Sequence, residues 1–247
     1  MIQFDDYYEM DELASQCRKD WDVNEYDSID IFQVAQNKIK NLTIVFTDLG
    51  SSISGACNKE HKEKVIFINS MDSAGRQRFT LAHEIYHLKY DENTYNICDK
   101  ESNEEIEKKA DAFASSLLMP HRALKNFKRE NNINEWDIDS IIQTEQFFQI
   151  SHHAMLFRLR RLEEITYDEY QEMKEYPIYN AELRGYNTDL YKKPKDKKFF
   201  TIGNYIRLTE DIYNEGLISH GKKEELLADA YRHDLIFNTA DMEELIE

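Results

Sequence analysis

A chain of 247 residues with 41% hydrophobic content can bury a substantial core, and its 48 Asp plus Glu against 31 Lys plus Arg leave a formal net charge of -17. That field repels the phosphate backbone and argues against a general duplex-binding protein. Three cysteines, Cys17, Cys57 and Cys98, are odd in number and scattered, which excludes the disulfide framework of a small secreted domain and fits a reducing cytoplasm.

Taken in chain order, the N-terminus carries Asp5, Asp6 and Glu9 where a secretory signal would carry basic and then apolar residues, and no apolar run reaches bilayer length. A cytoplasmic protein with no membrane partner is expected. Only 7 Gly and 3 Pro interrupt the chain, so the pattern predicts an α+β fold that is mainly helical with a small β-sheet. Short helices are expected over Asp11 to Lys19 and Ile29 to Ile39. A strand follows at Leu42 to Thr47, then a polar turn through Asp48 to Gly55 and a second strand at Lys64 to Asn69. Ser73 is placed to cap a helix from about Ala74 to Tyr90, and Ser102 or Asn103 to start another that Pro120 stops. Beyond His121 the pieces are smaller: Ile138 to Phe148 and Ser151 to Ile165 read as a helix-turn-helix. A basic stretch, Lys192 to Lys198, then leads into a last helical unit from Ile202 to Leu235. The expected division is a core over 1–120, a helix-turn-helix-like region over 121–175 and a helical C-terminal segment over 176–247.

Chemistry concentrates on the two middle helices. His83-Glu84-Ile-Tyr-His87 is an HExxH motif, which sets two imidazoles one helical turn apart on one face, the spacing that lets both grip a single cation. Thr80, His83, Glu84, His87 and Asp91 form a polar stripe on a helix whose other positions are largely apolar, so the stripe belongs inside the fold. A catalytic zinc keeps three protein ligands and an open position, and Glu107 on the next helix best supplies the third. Asp111, four residues further on the same face, is expected to accept the outer N–H of a ligand histidine. Small Ala110 and Ala114 allow that helix to approach closely. With one zinc per chain, Glu84 becomes the base that activates water. Tyr86, Tyr90, Tyr95 and His121 are all conceivable donors to the oxyanion, and spacing does not choose among them.

The string Arg78-Phe79-Thr80-Leu81-Ala82-His83-Glu84-x-x-His87, followed by Glu107-x-x-Ala110-Asp111-x-Phe113-Ala114-x-x-Leu117-Leu118-Met119-Pro120, resembles the ImmA/IrrE family of metallopeptidases. The resemblance implies a zincin-like metallopeptidase core, with His83, His87 and Glu107 as zinc ligands and Glu84 as catalytic acid-base. It further implies an endopeptidase that cleaves a helix-turn-helix transcriptional repressor and so derepresses mobile-element, phage or stress genes. The competing reading is a non-proteolytic regulatory binding protein that retains the fold. Tyr86 departs from the HELGH form common in the family. A substrate strand is expected to add beside Lys64 to Asn69, as an exposed sheet edge would allow.

Three weaker signals remain. Arg158, Arg160 and Arg161 lie on the second helix of the helix-turn-helix-like segment, and the resemblance makes single-stranded DNA a candidate activator; packing with Glu163 and Glu164 is the blander reading of the same residues. Cys57, just before the strand bordering the site, is a candidate inhibitory ligand to the zinc. Tyr205 to Leu235 resembles a C-terminal segment of mobile-element members and is a candidate surface for the repressor.

Overall fold

The computed structural model describes residues 4–60, 62–99, 104–195 and 198–237. Two helices, α1 (Phe4–Asp20) and α2 (Ile31–Lys38), lead into β1 (Leu42–Thr47), β2 (Ile53–Asn58) and β3 (Lys64–Asn69). The long α3 (Ala74–Tyr90), β4 (Tyr95–Asp99) and α4 (Glu105–Leu118) follow. Then come α5 (His121–Glu130), α6 (Ile138–Phe148), α7 (His152–Arg161), α8 (Tyr167–Met173) and α9 (Pro177–Leu183). A short strand, β5 (Phe200–Gly203), precedes α10 (Asn204–Asn214), α11 (His220–Asp229) and α12 (His233–Phe237). Among the described residues, no helix is long and apolar enough to cross a membrane.

The five strands form one mixed sheet in the order β4-β2-β3-β1-β5. β1 and β3 are parallel, Leu42 facing Lys64 and Thr47 facing Asn69. The pairs β1–β5, β2–β3 and β2–β4 are antiparallel. The mainly helical α+β class is therefore observed, but three of the strands differ from expectation. The expected turn through Gly55 is in part β2, the stretch after α3 forms β4, and the C-terminal segment returns β5 to the core sheet. A correction follows for the substrate edge. β3 is enclosed by β2 and β1, so its backbone is spent in the ladders; the free edges belong to β4 and β5.

α3 lies against β2 and β3 on one side and α4 on the other, and α4 packs in turn on α1. Ser73 caps α3 by accepting from Arg76 N–H at 3.3 Å. Lys59 closes its other end by donating to the carbonyls of His87 and Asp91, a cation where the helix dipole is negative. Glu104 stands at the N-terminus of α4 without a side-chain cap bond, while Ser102 and Asn103, the expected caps, lie outside the described residues, as do positions 196 and 197 of the basic stretch.

One apolar core runs from Met10 to Ile165 and takes in residues of α1, the sheet, α3, α4 and α7. The segment after Pro120 is thus welded to the helices before it. Between α6 and α7, the buried Glu145 receives both His152 Nδ1 and the Tyr191 hydroxyl at 2.7 Å. That carboxylate ties the helix-turn-helix-like pair to the chain near residue 191.

Candidate metal centre

Three elements meet at one point: α3 brings His83, Glu84 and His87, α4 brings Glu107 and Asp111, and β4 brings Asn96 and Cys98. The helical period sets His83 and His87 on one face, and burial of α3 on nearly every side carries that face indoors. His83, Glu84, His87 and Glu107 are 7%, 0%, 1% and 7% exposed. Polar groups buried this deeply need partners. His83 Nε2 lies 3.2 Å from His87 Nε2 and 3.2 Å from Glu107 Oε2, and His87 Nε2 lies 3.3 Å from Glu107 Oε1.

The outer nitrogens are engaged elsewhere. His83 Nδ1 is 2.8 Å from Asp111 Oδ1, and His87 Nδ1 is 2.9 Å from Asp91 Oδ2. A carboxylate holds the proton on each Nδ1, which leaves both Nε2 atoms as lone-pair donors aimed at each other and at a third lone-pair donor, Glu107. Such a convergence asks for a cation at its centre. A tetrahedral ion with bonds of about 2.0 Å has ligand edges of about 3.3 Å, and the three observed separations match. The donor set fits a small divalent metal.

Without the metal, protons do the neutralising. Burial works against the charged form of His83, but the Asp111 and Glu107 carboxylates outweigh it and raise the imidazole to about 10. Glu107 responds in the opposite sense: burial opposes its charge, yet hydrogen bonds from His83 and His87 hold it well below the usual carboxylate range. Glu84 is raised by burial, with His83 opposing. Its position is made by a glycine. A Cβ at Gly55 on β2 would stand 2.5 Å from Thr80 Cγ2 and 2.7 Å from Glu84 Oε1, so the carboxylate lies directly over the bare backbone of the strand.

Two residues on β4 escaped sequence reasoning. Asn96 Nδ2 donates to Glu107 Oε1 at 3.1 Å and rests against the His87 ring, steadying the carboxylate. Cys98 joins His83, His87 and Glu107 in a group whose donor atoms all lie within 4.8 Å of one another. Cys57, the weaker candidate offered by the sequence beside the reading of an ordinary loop cysteine, is outside that group; it is buried beside Glu84, and burial first and the Glu84 charge second push its thiol upward. Asp91 was visible as the last member of the polar stripe, four residues after His87. The β4 residues had no such signal, since a five-residue half-polar strand hardly differs from a loop.

Tyr86 fills the seam between helices, its ring 5.7 Å from those of Tyr90 and Phe113 and, edge-on, 5.7 Å from the ring of His87. The departure from HELGH is therefore a packing feature. Tyr95 is exposed on the edge strand, and His121 stands at the start of α5 beside Lys125 and Arg158. Of the three arginines, Arg158 is 1% exposed and pairs with Asp11 at 3.0 Å. Arg161 lies 3.6 Å over the Tyr7 ring, and Arg160 alone is exposed. The chain presents no shared arginine face to a nucleic acid at these three positions.

A family model described as the IrrE N-terminal-like domain, a peptidase family, matches residues 37–160. The match begins near the end of α2, covers every residue of the centre and stops inside α7. No curated protein matches the chain.

Proposed function

Because the chain belongs to the IrrE N-terminal-like domain family, a family of metallopeptidases, we propose that it is a zinc-dependent endopeptidase whose substrate is a helix-turn-helix transcriptional repressor. Cutting that repressor would release mobile-element, phage or stress genes. The observation that carries the reading is the triangle of two imidazole nitrogens and one carboxylate, with edges of 3.2, 3.2 and 3.3 Å, beside a buried general base. The core is zincin-like in this reading, with ligands His83, His87 and Glu107.

When bound, zinc supplies Lewis-acid polarisation of the scissile carbonyl and lowers the pKa of the attacking water. Glu84 takes the proton from that water and returns it to the leaving amine; its burial, by raising its proton affinity, suits it to both halves of the cycle. Asp111 and Asp91 fix the tautomers of His83 and His87, and Asn96 orients Glu107. The peptide would lie along the free edge of β4, where Tyr95 and Ile97 are exposed while Asn96 and Cys98 turn inward. A complex with the peptide backbone running elsewhere would remove that placement.

The test is a Glu84→Gln variant. It should keep its zinc and its fold and lose repressor cleavage by several orders of magnitude. Unchanged derepression by a variant that hydrolyses nothing would instead establish a non-proteolytic binding protein.

A further inference from the structure

We propose that Cys98 is a fourth donor to the metal, a reversible cap that closes the open position and holds the enzyme latent. The inference rests on the metal-centre reading and deepens it: hydrolysis needs three protein donors and a vacant corner, whereas this fold brings four donors together.

The argument starts from strand alternation. On β4, Tyr95 and Ile97 point outward and are 70% and 59% exposed, so Asn96 and Cys98 point inward. The antiparallel register sets Cys98 opposite Gly55, the residue over which Glu84 lies. Cys98 is 4% exposed, and its sulfur is within 4.8 Å of a donor atom on each of His83, His87 and Glu107. A second observation points into the same space. Glu84 is fully buried, and the thiols of Cys98 and Cys57 face its carboxylate, which has no other hydrogen-bond partner. The centre thus sets a soft ligand directly beside the buried base.

Capping balances without a co-reactant. With the ion bound, the S–H bond of Cys98 would break with its electron pair left on sulfur, the thiolate would take the metal position of the water, which would leave to solvent, and the proton would pass to the Glu84 carboxylate. One event therefore occupies the water position and neutralises the base. Release reverses it: the proton returns to sulfur and the corner opens to solvent. Cys98 sits on the same short strand whose outer edge would receive the peptide, so substrate docking and cap release act on one element.

The test is cobalt substitution of the full chain. Wild type and Cys57→Ala should show the visible bands of a tetrahedral cobalt site together with a thiolate-to-cobalt charge-transfer band in the near ultraviolet. Cys98→Ala should keep the visible bands and lose the charge-transfer band. X-ray absorption of the zinc-loaded wild type, which needs no variant, should show one sulfur in the first shell. Tetrahedral visible bands with no thiolate band, a thiolate band that vanishes in Cys57→Ala but persists in Cys98→Ala, or a shell of nitrogen and oxygen alone would each overturn the cap and leave the metal centre standing. Failure of the wild type to bind cobalt or zinc would overturn both.

Discussion

Asp111 and Asp91 need not touch a ligand to decide how the two imidazoles present themselves. Asp111 accepts from His83 Nδ1 at 2.8 Å while its own side chain stays about half exposed, so its loss should disturb the metal far more than the fold. Asp111→Ala is expected to weaken zinc binding by roughly 10–100-fold, measured by competition with a chelator. Asp111→Asn, which keeps an acceptor oxygen, should fall between. Unchanged affinity in Asp111→Ala would mean that the helix alone fixes the ring. The proton that stands in for the metal gives a second prediction. His83 is raised from 6.5 to about 10 in the metal-free protein, so its contribution to stability is fully present below about pH 6.5 and is lost as pH rises through about 10. At neutral pH the incoming ion must displace this proton. Calorimetry in buffers of different ionisation enthalpy should therefore show about one proton released per zinc from this group, and release near zero would contradict the assignment.

β2 positions Glu84, the proposed general base, and it does so by having almost no side chain where Glu84 crosses it. Gly55→Ala would drive a methyl into Thr80 Cγ2 and Glu84 Oε1. Overpacking of this kind costs about 1–3 kcal/mol, read as a lower urea midpoint. Turnover should fall by more than the lost folded fraction explains, since the base itself is displaced. A variant normal in both respects would show that Glu84 is placed by other contacts. The same packing explains what was legible beforehand. Leu42 to Thr47 and Lys64 to Asn69 are rich in β-branched and aromatic residues and read as the strands they are. The start of β2, Ile53 to Gly55, reads as the end of a turn because the close approach of α3 demands small residues there, so the requirement that lets Glu84 lie over the strand removes its strand signal. With β2 and β4 unseen, β3 looked like an edge. The helical stripes carrying His83, His87, Glu107 and Asp111 were legible because a period of 3.6 survives any tertiary context; Asn96 and Cys98 enter the site through sheet topology, which local pattern does not encode.

Across the whole molecule, the segment after Pro120 shares its core with the helices of the proposed metal centre and is tied to them by buried polar bonds. Arg158 on α7 reaches Asp11 on α1, and Asp11 also receives the hydroxyl of Ser116 on α4. Removing the acid leaves an arginine that is 1% exposed without its counter-charge. Asp11→Ala should therefore cost roughly 3 kcal/mol and shift one cooperative urea transition, seen alike by helix circular dichroism and tryptophan fluorescence. Two separated transitions would show that the helix-turn-helix-like region folds apart from the centre. All of these links serve to bring together the side chains of the proposed metal centre. The most direct measurement is metal content after exhaustive dialysis, in wild type and in Glu107→Gln. The account predicts one zinc per chain in the wild type and loss of tight zinc in the variant, with the helical content of both the same; a properly folded wild type that takes up no zinc when it is supplied would contradict it.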